Sequence, residues 1–130
     1  MAIPAIADLV LFTQLGDFVS LQKHISEITS SGTDINTILD ESQCSLLHWA
    51  AINNRLKISL YLLSLNANIN ASGGTLMETP LHWAIRNDKS TFLVHLLICK
   101  GSNINQKNIY GHSALQVAVR SGNIHNCFLL

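Results

Sequence analysis

The pattern of apolar and polar residues along this chain repeats at a fixed interval. Residues 47–50 read Leu-His-Trp-Ala, residues 81–84 repeat the same four letters, and residues 115–118 read Leu-Gln-Val-Ala. The copies begin at positions 47, 81 and 115, so the interval between successive copies is constant. A constant period in this range is typical of stacked supersecondary units rather than of a single irregular core. The pattern therefore predicts a row of similar modules.

Each copy is predicted to open a short helix. Thr79 can cap the helix N-terminus with its hydroxyl group, and Pro80 at the first helical position lacks an N–H that would have had no partner. Ser45 and Ser113 hold the same capping position in the neighbouring copies. Pairs of turn-forming residues then end each short helix. These pairs lie at 53–54, 87–88 and 121–122.

A second, more apolar helix follows in each copy, as at 58–63 and 92–98. It is predicted to end at a glycine or an asparagine, because these residues readily adopt the left-handed conformation that closes a helix. An isoleucine a few residues further on is expected to be buried and to begin an extended finger that leads to the next copy. The helix-ending residues are Gly32, Asn66 and Gly101, and the isoleucines are Ile35, Ile69 and Ile104.

The same order read backwards gives a divergent first unit, with helices over 9–15 and 19–28 and a turn at 16–17. The predicted fold is all-α: a solenoid of about three and a half helix-turn-helix units with short β-finger loops. The fourth copy stops within its second helix, and a terminal repeat exposes an apolar face unless it is capped. We therefore expect a fragment, a truncated isoform or the product of a decaying gene copy. The domain is predicted over 5–130, with units at 5–36, 43–70, 77–105 and 111–130.

Composition narrows the classes of partner. Charged residues make up 12% of the chain and the formal net charge is zero, which argues against nucleic acid as a partner. The N-terminal stretch lacks the basic start of a signal peptide, and no apolar run approaches the ~20 residues of a membrane-spanning helix. Three widely spaced cysteines without metal-ligand spacing fit a reducing compartment. We expect a cytoplasmic chain with no membrane insertion and no cofactor.

Residues 79–84, Thr-Pro-Leu-His-Trp-Ala, resemble the signature of the ankyrin repeat almost perfectly. The resemblance covers roughly residues 5–130. It is strong in the middle two copies and weaker in the first, where Val10 stands in for the histidine and Phe12 for the alanine. The fold that it implies is the helix–turn–helix–finger stack predicted above.

A narrower resemblance joins residues 46–55 with the Gly-Gly finger that begins at residue 73. Together they are similar to the cytosolic ankyrin region of the ankyrin-bearing palmitoyltransferases, membrane acyltransferases with an Asp-His-His-Cys motif. Thr75 replaces the aspartate usual in that family, and this chain has neither the Asp-His-His-Cys motif nor a cysteine-rich segment. The chain is therefore not expected to be an enzyme, and no catalytic residue is predicted.

Trp49 and Trp83 follow the histidine of their copies and are expected on the inner, concave helix layer. The packing distance of neighbouring helices places the two indoles about 10 Å apart. Large aromatic side chains are frequent binding anchors, although both rings could simply pad the helix packing. The resemblance further implies that Asn53 and Trp83 recruit unfolded segments containing a Gln-Pro step. Asn53, Trp83 and Trp49 are thus the candidate peptide-binding residues.

His48 and His82 invite a metal or general-base interpretation, but no acidic or cysteine side chain is placed to complete a ligand set. The ankyrin resemblance implies instead that each imidazole binds loop backbone of the neighbouring unit. No metal site is predicted. Cys99 and Cys127 are expected to be small core residues. Cys44 lies in a finger where it could be exposed, but no basic group is placed around it to lower its pKa.

Two functions remain open at this stage. The first is a protein-interaction module that holds an extended partner peptide in the concave groove. The second is the substrate-recruiting N-terminal region of a protein-cysteine S-palmitoyltransferase whose catalytic domain is missing from this chain. In that case the chain would lie at the cytosolic face of the Golgi or of other endomembranes.

Overall fold

The structure is a computed structural model that describes residues 5–87 and 91–127. The elements seen there are helical apart from two isolated β-bridges, which confirms the predicted all-α class. The helices form four successive pairs, with a short 3₁₀ turn after the first pair. They are α1 (Ile6–Leu15), α2 (Phe18–Ser30), α3 (Leu46–Ile52), α4 (Leu56–Ser64), α5 (Pro80–Ile85), α6 (Thr91–Cys99), α7 (Ala114–Ser121) and α8 (Ile124–Cys127), and the 3₁₀ turn is Ile35–Thr37.

Polar caps begin the first helix of the last three pairs, as predicted. The hydroxyl oxygens of Ser45, Thr79 and Ser113 each accept a hydrogen bond from the backbone N–H three residues later. The side chain at that third position accepts a hydrogen bond from the backbone N–H of the cap residue, which completes a capping box. Pro80 occupies the first helical position, where its missing N–H costs nothing.

Left-handed residues end the second helices where the sequence predicted them. The backbone φ angle is 95° at Gly32, 66° at Asn66 and 102° at Gly101. In the first unit a left-handed glycine also ends the first helix. Gly16, with φ 75°, closes α1, and Asp17 caps the N-terminus of α2. The predicted turn residue Asn53 is the C-cap of α3. α5 ends at Ile85 with Arg86 as its C-cap, one residue before the predicted pair at 87–88, of which Asp88 lies outside the described residues.

The core lies between the first and second helices of the stack. The first helices α1, α3, α5 and α7 pack in a row, and each also packs on its own second helix. Leu21, Leu62 and Leu97 are fully buried in this core. The expected burial of the three isoleucines holds only for the first: Ile35 is buried, Ile69 is half-buried and Ile104 is 37% exposed.

Short fingers connect the pairs and bond to one another in series. Antiparallel bridges close two of them, between Leu39 and Ser45 and between Gly73 and Glu78. The N–H of Gly74 donates to the Ser42 carbonyl at 2.9 Å, which joins these two fingers, and the N–H of Ile109 donates to the Leu76 carbonyl at 2.8 Å, which adds the third. The fingers therefore form one continuous edge along the first helices.

Candidate peptide-binding groove

The two tryptophans contact each other at the centre of the stack. Trp49 on α3 and Trp83 on α5 are both half-buried, and their ring centroids lie 5.2 Å apart at an interplanar angle of 87°. The expected separation of about 10 Å was wrong, because it applied the spacing of helix axes to side chains that lean toward each other. Such edge-to-face pairs contribute ~0.5–1.5 kcal/mol beyond the area they bury.

The two indole nitrogens have different surroundings. Trp49 Nε1 donates to the Asp40 carboxylate at 2.9 Å. The other oxygen of Asp40 accepts the backbone N–H groups of Ser42 and Cys44, so the finger fixes this carboxylate. Trp83 packs edge-on against the His48 ring as well, but its Nε1 has no hydrogen-bond partner among the described residues. Trp83 therefore keeps a donor that a ligand can use.

An open cleft of about 460 Å³ surrounds the tryptophan pair. Its apolar floor comes from the two indoles and neighbouring aliphatic side chains, and its rim comes from two fingers. Mostly apolar clefts with a few fixed polar groups are the usual form of binding sites. The lining residues are Asp40, Ser42, Cys44, Trp49, Ile52, Gly73, Gly74, Thr75, Leu76, Glu78, Trp83 and Arg86.

Asn53 lies beside this cleft rather than in its lining. It is the C-cap of α3 and is half-buried, and its Nδ2 donates to the Trp49 carbonyl at 2.8 Å. One of its two amide hydrogens is thus already used within the protein. The structure brings Trp49 and Trp83 into one site and places Asn53 at its border.

Further clefts continue the site in both directions. One toward the N-terminus shares Asp40 and Ser42 with the central cleft, and one toward the C-terminus shares Leu76 and Arg86 with it. All of them lie on the side formed by the fingers and the first helices. We call this row of clefts the finger groove.

His48 and His82 bind the fingers, as the resemblance implied. The Ser45 N–H donates to His48 Nδ1 at 3.1 Å, so Nε2 carries the proton and donates to the Glu78 carbonyl at 2.7 Å. His82 repeats the arrangement with the Thr79 N–H and the His112 carbonyl. Burial lowers the pKa of His48, although the hydrogen bond to the Glu78 carbonyl opposes this effect. Both imidazoles are structural links between units.

Glu78, which was not identified from the sequence, connects Arg86 of its own unit with Asn108 near the next one. Its side chain is only 2% exposed, and its carboxylate accepts Arg86 Nε at 3.0 Å, Arg86 Nη2 at 2.8 Å and Asn108 Nδ2 at 2.9 Å. Burial alone would raise the pKa of Glu78, but the hydrogen bonds from Arg86 and Asn108 outweigh it and lower the pKa. The pairing with Asn108 spans 30 residues, and no local pattern signals a contact at that range.

The cysteines divide between core and surface. Cys44 is 2% exposed, and burial, with the charge of Asp40, raises the pKa of its thiol to about 11, which makes it unreactive. Cys127 is half-buried and packs against the core. The prediction for Cys99 was wrong, because this residue is exposed on the outward face of α6 that it shares with Phe92 and His95. The 5–87 and 91–127 segments contain no cluster of His, Cys, Asp or Glu able to hold a metal ion.

Comparison with known families agrees with this architecture. A profile for three copies of the ankyrin repeat matches residues 73–130, and a profile for a single ankyrin repeat matches residues 42–71. The chain belongs to the ankyrin-repeat family. The ankyrin repeat is a non-catalytic fold that generally binds proteins.

The chain is similar to several curated palmitoyltransferases. It is 38% identical over 110 residues to palmitoyltransferase Hip14 of Drosophila melanogaster, covering 85% of this chain and 16% of the relative. Palmitoyltransferase AKR1 of Lachancea kluyveri is 34% identical over 123 residues, covering 93% and 16%. Palmitoyltransferase ZDHHC13 of Mus musculus is 42% identical over 90 residues, covering 69% and 14%. The chain thus spans about a sixth or less of the length of these relatives.

The described helices are also too short for a bilayer. None of them combines the length and the apolar character that crossing a membrane requires.

Proposed function

We propose that this chain holds an extended segment of a partner protein in the finger groove, across Trp49 and Trp83. The observation that carries the proposal is the half-buried indole pair in an open cleft, with a donor at Trp83 Nε1 that the described residues do not use. Partly exposed aromatic side chains in pockets are the usual anchors of protein interfaces.

The chemistry of the cleft favours a segment with a Gln-Pro step, the class that the family resemblance implies. A proline ring is apolar and rigid, and it covers an indole face without needing a hydrogen bond of its own. The Trp83 N–H donates to a carbonyl of the segment. Asn53, at the border of the cleft, binds the segment's backbone through its remaining amide hydrogen and its carbonyl oxygen.

Within a longer protein, this binding would serve substrate recruitment for protein-cysteine S-palmitoylation. The support for this second function is the identity of 34–42% to three palmitoyltransferases. The acyl transfer itself would belong to a catalytic domain outside this chain. Such a protein would present the finger groove in the cytoplasm, at the face of the Golgi or another endomembrane.

The test is binding of a fluorescein-labelled short peptide with a central Gln-Pro step, followed by fluorescence anisotropy. Trp83→Ala removes the ring and the donor, and we expect it to weaken binding by about 2 kcal/mol, roughly 30-fold. Trp83→Phe keeps an aromatic ring without the N–H and should lie between the parent and Trp83→Ala.

Phe92→Ala is the matched control, because Phe92 is an aromatic residue that is 83% exposed on the outward face of α6, away from the groove lining. It should leave the affinity unchanged. A Trp83→Ala protein that is folded by circular dichroism and binds the peptide as tightly as the parent would rule out the proposed site.

A further inference from the structure

One arginine in the finger groove has a carboxylate partner, whereas the next one has none among the described residues. Arg86 lines the central cleft and holds the buried Glu78 carboxylate with two hydrogen bonds. Arg120 lies one full repeat later, at the same position of the fourth unit, and lines the next cleft of the groove. Among the residues that the structure describes, Arg120 forms no ion pair.

The missing acid can be traced to one residue. The position that Glu78 holds in the third unit is held by His112 in the fourth, again one repeat later. His112 keeps the backbone role of that position, since its carbonyl oxygen accepts from His82 as the Glu78 carbonyl does from His48. The fourth unit therefore retains the guanidinium of the pair but has no carboxylate to neutralise it.

The surroundings of Arg120 suit a peptide rather than a free ion. Its cleft, of about 270 Å³, also contains Tyr110, which is 70% exposed. An exposed aromatic side chain beside a cation marks an interaction surface for a segment that carries both apolar and acidic residues.

We propose that Arg120 binds an acidic side chain of the segment that lies over the tryptophan pair. This inference rests on the proposed function and adds the chemistry of the partner. Neighbouring helices pack about 10 Å apart, and an extended chain advances about 3.3 Å per residue. One repeat therefore corresponds to about three residues, so the acid is expected about three positions from the residue in the Trp83 cleft.

Charge-swapped peptides and proteins test this directly. The peptides carry a central Gln-Pro step and either Glu or Lys about three residues before or after it, which covers both directions of the chain in the groove. In one of the two placements we expect the Glu peptide to bind the parent protein between about threefold and tenfold tighter than the Lys peptide at low salt. Added salt should reduce this ratio, because the pair is exposed to solvent.

Arg120→Glu should reverse the preference, and Arg120→Gln, which removes the charge with little effect on the helix, should abolish it. Lys23→Glu makes the same change in net charge on α2, outside the lining of the groove, and should preserve the preference. Circular dichroism melts confirm that each variant is folded.

The outcomes separate this inference from the proposed function. If Trp83→Ala abolishes binding but the Glu/Lys ratio is the same in the parent and in Arg120→Glu, the groove binds peptides and the role of Arg120 is refuted. The same conclusion follows if the parent shows no ratio in either placement. If no peptide of the set binds the parent chain, both the proposed function and the role of Arg120 are refuted.

Discussion

At the scale of single residues, the two tryptophans of the groove differ in the hydrogen bonding of their indole N–H groups. Asp40 fixes the Trp49 indole through its Nε1, so this ring is a rigid wall. Trp83 stands edge-on to that wall and offers an N–H without a partner among the described residues. A rigid apolar surface next to a fixed donor lowers the entropy lost when a flexible segment binds.

His48 predicts a pH dependence of stability. Its pKa is lowered in the folded chain, so as the pH falls below 6.5, its ordinary value, the unfolded chain takes up the proton first. His48 therefore makes its full contribution to folding stability above pH 6.5, and this contribution decreases as the pH falls below that value. Urea unfolding between pH 5.5 and 7.5 measures the slope.

His48→Gln should reduce that slope. Gln116 already fills the same third position of a capping box in this chain, where its Oε1 accepts the Ser113 N–H at 2.8 Å. The variant should keep the cap but lose the hydrogen bond to the Glu78 carbonyl, at a cost of about 1 kcal/mol at pH 7.5. An unchanged slope in His48→Gln would mean that another group titrates.

Glu78 adds a second dependence at lower pH. The pKa of its carboxyl group is lowered in the folded chain, so its contribution is present above 4.5, its ordinary value, and is lost as the pH falls further. Protonation of His48 and protonation of Glu78 therefore both destabilise the folded state as the pH falls.

At the scale of elements, the fingers depend on Gly73. A methyl group added there would lie 2.5 Å from the Gln43 carbonyl oxygen, closer than real contacts allow. Gly73→Ala is therefore expected to push two fingers apart, to lower the free energy of unfolding by about 1–3 kcal/mol, and to weaken peptide binding at the adjoining cleft. Urea unfolding and the anisotropy titration measure the two effects.

Gly111→Ala is the control for a finger glycine without a clash, because nothing lies within 4 Å of the added methyl group. Its φ of 78° still makes alanine unfavourable, by about 1–2 kcal/mol. It should lower stability while leaving affinity for the central cleft unchanged. Equal affinity in Gly73→Ala and the parent would show that finger spacing does not shape the groove.

Local elements were the part of the fold that the sequence could predict. A cap such as Thr79 or a helix end such as Gly101 is decided by a few adjacent residues, and both lie where the pattern placed them. Contacts between units were not predictable in the same way. Asn36 and Asn70 each accept a backbone N–H from the following unit, at 2.6 and 2.7 Å, across a long stretch of intervening chain. Glu78 was missed for the same reason.

The candidate site was predictable in part. The constant repeat period placed Trp49 and Trp83 on neighbouring helices, but it could not give the tilt of the rings, so their spacing was misjudged. Asn53 came from the family resemblance alone, and its position at the border of the cleft leaves its role a prediction.

At the scale of the molecule, each unit contacts its neighbours and contributes one step of the groove. Repeat proteins bind long, extended partners because their surface grows by equal increments. The increment here carries different chemistry at each step: an aromatic pair between α3 and α5, a neutralised arginine at Arg86, and an arginine without a described ion-pair partner at Arg120. Under the proposed function, these differences between steps are expected to fix the register of a bound segment.

The most direct test of the central claim is a nuclear magnetic resonance titration of the two indole N–H signals. The chain has two tryptophans, so each signal can be assigned by one Trp→Phe variant. Adding the Gln-Pro peptide should shift the Trp83 signal strongly and the Trp49 signal less, because Asp40 already binds Trp49 Nε1. If a peptide that binds moves neither signal, and instead perturbs the outward face around Phe92, the segment does not lie in the finger groove.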